Sequence, residues 1–370
     1  MPARYSRRLE RLQGLLEARN LSALLVTTPE NRRYLSGFRA PDPQLNESSG
    51  FLIIGGEAAI IGTDPRYEIE AVSEARGFFP FIYDRGLEGS WPKIAEKIKG
   101  LKRLGFEPGG LTCQTHGRFT KILRKSGNFT KLVPAVDLVE TLRARKDPGE
   151  IRSIRKALEI AERVFQEIHR SLRPGQTEKA IAWKIKSLIH RQGGDGIAFE
   201  PIVASGPNAG KAHAEVTDRP IGRGEPIIFD FGARWNGYCS DLSRTVCLGR
   251  PSDRFRELYG LVREAQLTAQ KGIRAGMTSR EADQLARAVI EKAGHGQLFK
   301  HSLGHGVGLA THEAPSLSLV RPGILETGMV VTIEPGVYIT GWGGIRLENM
   351  MVVGKHHSEL LNTDLSFYKF

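Results

Sequence analysis

Cysteine is scarce in this chain. Cys113, Cys239 and Cys247 are too few and too scattered among 370 residues for a disulfide framework, so a small cross-linked secreted scaffold is excluded. Long apolar runs are missing as well, and no stretch approaches the ~18 apolar residues that a membrane span needs. The opening Met-Pro-Ala-Arg-Tyr-Ser-Arg-Arg has charge with no apolar segment behind it, so no secretory leader and a cytoplasmic location are expected. Gly-rich phosphate loops of useful form are absent, as is any recognition-helix or aromatic-interleaved basic motif. The net charge of +12 splits evenly, +6 on each side of position 139, and does not gather in one segment. The nearest basic patch, Lys93, Lys97, Lys99, Lys102 and Arg103, follows a helical pattern set by Ile94, Ile98 and Leu101. It reads as a solvated helix face, so neither nucleic acid nor membrane is expected as a partner.

The length and an apolar fraction of 40% suit two cored domains, expected over 1–139 and 140–370. Pro148 and Gly149 break the chain just after that boundary, ahead of a helix. The first domain alternates helix and strand. A helix is expected over 9–19, a buried strand over 23–26 and a short helix over 31–35. Segments 50–54 and 58–62 flank Gly55-Gly56 as a β-hairpin. A helix over 68–75, a strand over 104–107 and a helix over 119–123 complete an α/β layer pattern. No catalytic set appears in it, and Asp64 and His116 stand isolated.

The informative residues lie in the second domain. Asp230 follows Pro-Ile-Ile-Phe, a short apolar run that reads as a buried strand, and Asp241 comes eleven positions later. Glu334 follows Met-Val-Val-Thr-Ile, and Glu348 lies between Ile345-Arg346-Leu347 and an apolar run starting at Met350. His305 sits in Gly-His-Gly. Four carboxylates and an imidazole in apolar, strand-like surroundings are costly to bury unless a multivalent cation pairs with them. A pair of divalent ions suits the set, because carboxylates can bridge and a water can be shared. Cys239, two residues before Asp241, reads as a small buried hydrophobe.

The two ligand blocks read as copies of one unit. A helix through Phe165, Ile168 and Leu172 runs into Arg-Pro-Gly-Gln-Thr-Glu at 173–178, and a second helix through Ile181, Ile185 and Leu188 stops at Gly193-Gly194. About a hundred residues later, Leu267 and Ile273 lead into Arg-Ala-Gly-Met-Thr at 274–278, followed by a helix through Ala282, Leu285 and Val289 that stops at Gly294. The Gly-x-Thr turns act as stop and N-cap signals in both. Asp230 then corresponds to Glu334 and Asp241 to Glu348, with the four acids converging between two sheet halves.

These residues resemble the pita-bread metallopeptidases, peptidase family M24. Lys146-Asp-Pro-Gly-Glu-Ile-Arg resembles the opening of the family's catalytic domain. Val203-Ala-Ser-Gly-Pro-Asn-Ala, followed by His213 and Thr217-Asp218-Arg219, resembles its substrate-side loop. Gly304-His-Gly-Val-Gly-Leu with His312-Glu313 resembles its central histidine motif. The first third is similar to the accessory domain of prolidases, aminopeptidase P and creatinases.

The resemblance implies an α/β N-terminal domain followed by an α+β pita-bread catalytic domain with a pseudo-twofold internal repeat. It further implies that Asp230 chelates one metal, that His305 and Glu334 hold the other, and that Asp241 and Glu348 bridge both. The ions would be Mn²⁺, Co²⁺, Fe²⁺ or Zn²⁺, with no choice among them. Glu334 or a metal-bound hydroxide would accept the proton of the attacking water. His213 and His312 match histidines that face the substrate, and His301 matches a family position that a structural histidine would also fill. Arg346 could pair with a bridging acid and hold it ionised. The implied activity is hydrolysis of Xaa-Pro bonds at peptide N-termini, as an aminopeptidase or a dipeptidase, by a homodimer. The alternatives are an inactive pita-bread binding or scaffold protein and a creatinase-like hydrolase.

Overall fold

The computed structural model describes residues 3–368 apart from 43, 45, 46, 56, 57, 322 and 366. The chain falls into two compact units, Met1–Arg143 and Ala144–Phe370. The boundary expected at 139/140 lies inside a helix that spans Leu138–Ala144, so the two units part slightly later.

The first unit contains α1 (Ala3–Ala18), β1 (Ala23–Val26), α2 (Pro29–Ser36), β2 (Gly50–Gly55), β3 (Ala58–Thr63), α3 (Glu68–Glu74), β4 (Phe79–Ile82), α4 (Gly86–Lys97), β5 (Arg103–Phe106), α5 (Cys113–Lys125), β6 (Lys131–Pro134) and α6 (Leu138–Ala144). Its sheet runs β4-β3-β2-β1-β5-β6 and is parallel except for β2, which is antiparallel to both neighbours. The expected hairpin is present as the β2–β3 pair, in register from Gly50↔Thr63 to Gly55↔Ala58. Gly56, expected in its turn, lies outside the described residues. Trp91 stacks on Phe119 at 3.9 Å within a core that also takes Leu25, Phe51 and Leu104. Two strands escaped the pattern. β4 and β6 are four residues long, each carries a proline, and neither has a fully buried position.

The second unit opens on α7 (Pro148–Ser171) and α8 (Glu178–Arg191). It continues with β7 (Gly196–Ile197), β8 (Ile202–Ser205), β9 (Pro226–Phe231), β10 (Ala233–Trp235), β11 (Tyr238–Cys239) and β12 (Leu242–Cys247). Then come α9 (Asp253–Gly272), α10 (Ser279–Lys292), β13 (Gly304–Gly306), β14 (Glu313–Leu317), β15 (Val330–Ile333), β16 (Gly336–Ile339), β17 (Gly343–Arg346), β18 (Asn349–Val352) and β19 (Glu359–Leu360). Asp147 opens α7 with a capping box completed by Glu150, which is how the Pro-Gly break becomes a helix start.

The helix pairs repeat down to their dihedral angles. α7 ends at Leu172 (φ −65°, ψ 129°) and α9 at Ile273 (φ −66°, ψ 128°). Gly175 and Gly276 take φ of 86° and 89°, a left-handed conformation that costs glycine nothing. Thr177 caps Ala180 in the first copy, and Thr278 caps Glu281 in the second. Each threonine also forms an isolated bridge, to Pro220 and Ile324 respectively. β8, β9 and β12 make one antiparallel sheet and β14-β13-β15-β18-β19 a second, with the smaller sheets β11-β10-β7 and β16-β17 beside them.

Candidate metal centre

The five ligand candidates sit at matched places on the two sheets. Asp230 is on β9, directly across from Ser243 of β12, and Asp241 immediately precedes that strand. Glu334 immediately follows β15, and Glu348 immediately precedes β18. Ligand atoms of Asp230, Asp241 and Glu348 lie within 4.8 Å of one another. Nε2 of His305 joins them, 3.6 Å from Oδ2 of Asp241 and 3.3 Å from Oε1 of Glu334. All five side chains expected from the sequence are therefore brought together.

The surroundings fix their directions. Thr332 Oγ1 accepts the His305 N–H at 3.0 Å and donates to Glu334 Oε1 at 3.0 Å. Glu334 is further held by its own N–H on the Leu303 carbonyl, and Glu348 by its N–H on the Ser243 carbonyl. Cation charge at the site comes from Arg346, which is buried and donates to Asp230. Its other bonds go to Ser243 Oγ (3.0 Å), the Ala212 carbonyl (2.8 Å) and the Tyr338 hydroxyl (2.7 Å). The expectation for Arg346 is thus corrected in one respect, because its partner is Asp230 and not either proposed bridging acid. Position explains it: β17 ends at Arg346, and β17 lies against β9.

Electrostatics show how poorly this group of acids is served by protein alone. Burial, then the charges of Asp230 and Glu334, push Asp241 well above the usual carboxylate range. Burial and the neighbouring acids do the same to Glu348. Asp230 is also raised, by burial against the pull of Arg346. Glu334 goes the other way. Burial would raise it, but the hydrogen bond and charge of His305 bring it down to about 2. Burial works against a charged His305, yet Glu334 outweighs it and lifts the imidazole to about 9. Oδ1 of Asp230 and Oε1 of Glu348 are buried with no hydrogen-bond partner. Oxygen donors with one imidazole, two orphaned carboxylate oxygens and mutual repulsion fit divalent cations among these side chains.

The histidines around the cluster divide by contact. The His312 ring lies 4.2 Å from that of His305, and burial lowers its pKa, so it is neutral near pH 7. His213 is exposed. His301 bonds through Nδ1 to the Ser302 carbonyl (2.8 Å) and through Nε2 to Tyr338 (2.9 Å). A carbonyl accepts only, so Nδ1 carries the proton and Nε2 accepts the Tyr338 O–H, whose oxygen in turn accepts from Arg346.

Sequence reasoning did not find Tyr338 or Thr332, since both read as ordinary strand residues. It also missed a buried ion pair between Lys146 and Glu313, 2.7 Å apart. The loop carrying His312 is tied down by that pair, by the Cys239 N–H on the Gly308 carbonyl (2.7 Å) and by Thr311 on the Ala198 carbonyl (3.2 Å).

Residues 152–355 match the family description "Metallopeptidase family M24", and residues 8–145 match "Creatinase/Prolidase N-terminal domain". The chain belongs to metallopeptidase family M24. An uncharacterized peptidase of Bacillus subtilis is 38% identical to this metallopeptidase over 346 residues, 94% of this chain and 95% of its own. A solved Xaa-Pro dipeptidase from Bacillus anthracis superposes with a TM-score of 0.90 at 35% identity, covering 97% of this chain and 98% of its own. A solved X-Pro aminopeptidase from Thermotoga maritima gives a TM-score of 0.86 at 34% identity, covering 96% and 97%. The fold expected from the sequence, an α/β N-terminal domain followed by a pita-bread catalytic domain with an internal repeat, is that of this metallopeptidase. Among the described residues, no helix is long and apolar enough to cross a membrane.

Proposed function

We propose that this metallopeptidase hydrolyses Xaa-Pro bonds at peptide N-termini with two divalent ions, Mn²⁺, Co²⁺, Fe²⁺ or Zn²⁺, held by Asp230, Asp241, His305, Glu334 and Glu348. The observation that carries the metal reading is the convergence of four carboxylates, two of them with an orphaned oxygen, around one imidazole. Bound there, the ions would polarise the scissile carbonyl and acidify a water. Asp241 and Glu348, the most crowded acids, are the proposed bridges, with Asp230 on one ion and His305 and Glu334 on the other. Arg346 pulls Asp230 toward its ionised form against burial, and Glu334 is the proton acceptor within reach. Neutral His312, with His213, offers an N–H to the developing oxyanion or the departing nitrogen.

Proline decides the substrate. Its ring removes the amide N–H and fixes φ, so a site that takes it must accommodate the ring and supply a proton to a tertiary nitrogen. The dipeptidase and aminopeptidase relatives both support Xaa-Pro cleavage; a cytoplasmic homodimer with no nucleic-acid partner is part of the same proposal. An inactive scaffold has less support, since the complete ligand set is present. Met-Pro and Ala-Pro substrates are expected to turn over much faster than Met-Ala and Ala-Ala with Mn²⁺ or Co²⁺ supplied. Equal turnover would remove the Xaa-Pro assignment and leave a dimetal peptidase. Comparing Ala-Pro with longer Ala-Pro-Xaa peptides then separates dipeptidase from aminopeptidase.

A further inference from the structure

Arg244 stands three residues after Asp241 on β12, with its side chain buried. Nη1 donates to the carbonyl oxygens of Ser243 (3.0 Å) and Glu348. Nη2 donates to Oδ1 of Asn349 (3.2 Å) and to the carbonyl of Asp364 (2.9 Å). The guanidinium also lies over the Phe367 ring, 4.6 Å from its centre. One side chain therefore joins the strand that starts after Asp241, the backbone of Glu348 and the C-terminal stretch at residues 361–364 and Phe367.

That segment is itself anchored. Glu162 of α7 accepts the N–H groups of Thr363 (3.0 Å) and Asp364 (3.1 Å) and the amide of Asn362 (3.1 Å). Asn362 in turn accepts the N–H of Met350 (2.7 Å), two residues beyond Glu348. Phe367 carries a second guanidinium, Arg263, 3.5 Å from its ring centre. Arg263 donates to Gln266, whose amide reaches the carbonyl of Ile333 (3.4 Å), the residue before Glu334. From one aromatic ring, two arginines lead to the backbone at or beside both acids of the second half.

A fully buried arginine is a poor choice for stability alone, because its charge loses water and, among the described residues, none of its side-chain hydrogen bonds goes to a carboxylate. What it offers is five donors in a rigid fork, here spent on carbonyls whose positions set the ligand directions. We propose that Arg244 is a positioning residue for the candidate metal centre, and that residues 361–364 with Phe367 are the brace that holds Arg244 in place. This rests on the metal reading above. Partners that orient metal ligands from outside typically change metal affinity by about 10- to 100-fold when altered.

The test is calorimetric titration of the metal-free full-length protein with Mn²⁺, for wild type, Phe367→Leu, Arg244→Lys and Arg155→Ala, with near-UV circular dichroism confirming the fold of each. Phe367→Leu and Arg244→Lys are expected to weaken Mn²⁺ binding by about 10-fold or more while remaining folded. Arg155→Ala, which removes a partly exposed pair with Glu359 (2.7 Å) on the edge strand β19 and none of the bonds of Arg244 or Phe367, is expected to bind as wild type does. Should Arg244→Lys fail to fold, Phe367→Leu decides alone. Wild-type affinity in the folded brace variants overturns the inference and leaves the metal reading intact. No uptake of Mn²⁺, Co²⁺, Fe²⁺ or Zn²⁺ by the wild-type protein overturns the metal reading itself, and the inference with it.

Discussion

The two halves of the catalytic unit share a frame and differ in what they hang on it. α7–α8 and α9–α10 end, turn and restart with nearly the same angles, and each pair delivers two acids on antiparallel strands. The halves then diverge in counter-charge. The second half supplies its own cation, His305 beside Glu334, whereas Asp230 in the first half takes Arg346 from the second. The interior supports differ too. Glu178 of α8 accepts from Ser205, Asn208 and Thr217 to shape the loop before His213, all through neutral donors. In the second half the interior support is instead an ion pair on α10, Asp283 with Arg287, which fixes the Leu303 N–H and the carbonyls of Phe299 and His301. A duplicated frame tolerates different chemistry in its loops because caps and turns fix the strand starts independently of what the strands carry.

The comparison is broken most severely by removing one acid that both halves share. Asp241→Asn and Glu348→Gln, one from each half, are expected to lose both ions together and at least about 10³-fold in kcat/KM. Elemental analysis showing two ions per chain in either variant would end the bridging assignment. His312→Ala tests a histidine of the second half that lies beside the ligand His305. It should keep its metals while kcat/KM falls about 10²-fold, and near-normal turnover would make His312 a structural residue.

The imidazole that belongs to the second half alone also sets a pH dependence. His305 without metal titrates at about 9, so at pH 7 it holds a proton that coordination must expel. Mn²⁺ affinity should therefore rise with pH from about 7 to about 9, by up to about tenfold per unit for that one proton. Calorimetry in buffers of different ionisation enthalpy measures the proton released, and a buffer-independent heat would contradict it. The smallest effect tests the shared frame. Thr177→Ala and Thr278→Ala should each cost about 1 kcal/mol in denaturant unfolding, equally in the two halves. A clear difference would show that the repeated geometry hides unequal energetics.

Most of this architecture is legible in the residues because its signals are local. The Gly-x-Thr turns, the glycine stops and the apolar runs ahead of Asp230 and Glu334 all act within a few positions. β4 and β6 escape because short, half-exposed strands with a proline have no clear alternation. The support of the site escapes for a different reason. Tyr338 meets His301 across 37 positions, and Arg346 meets Asp230 across 116, contacts that only the folded strand order creates. Arg346 itself was visible as a charged residue in an apolar strand, while its partner was not.

Lys146 stands between the end of α6 and the start of α7, ahead of the residues at which the M24 match begins. Its ammonium is the counter-ion of Glu313, the residue next to His312. A fragment trimmed to the recognisable peptidase region would therefore discard a lysine that its own interior needs. Anyone excising the catalytic unit for crystallisation or fusion should begin upstream of Lys146, and a version starting at 152 should yield a less active enzyme even where it folds.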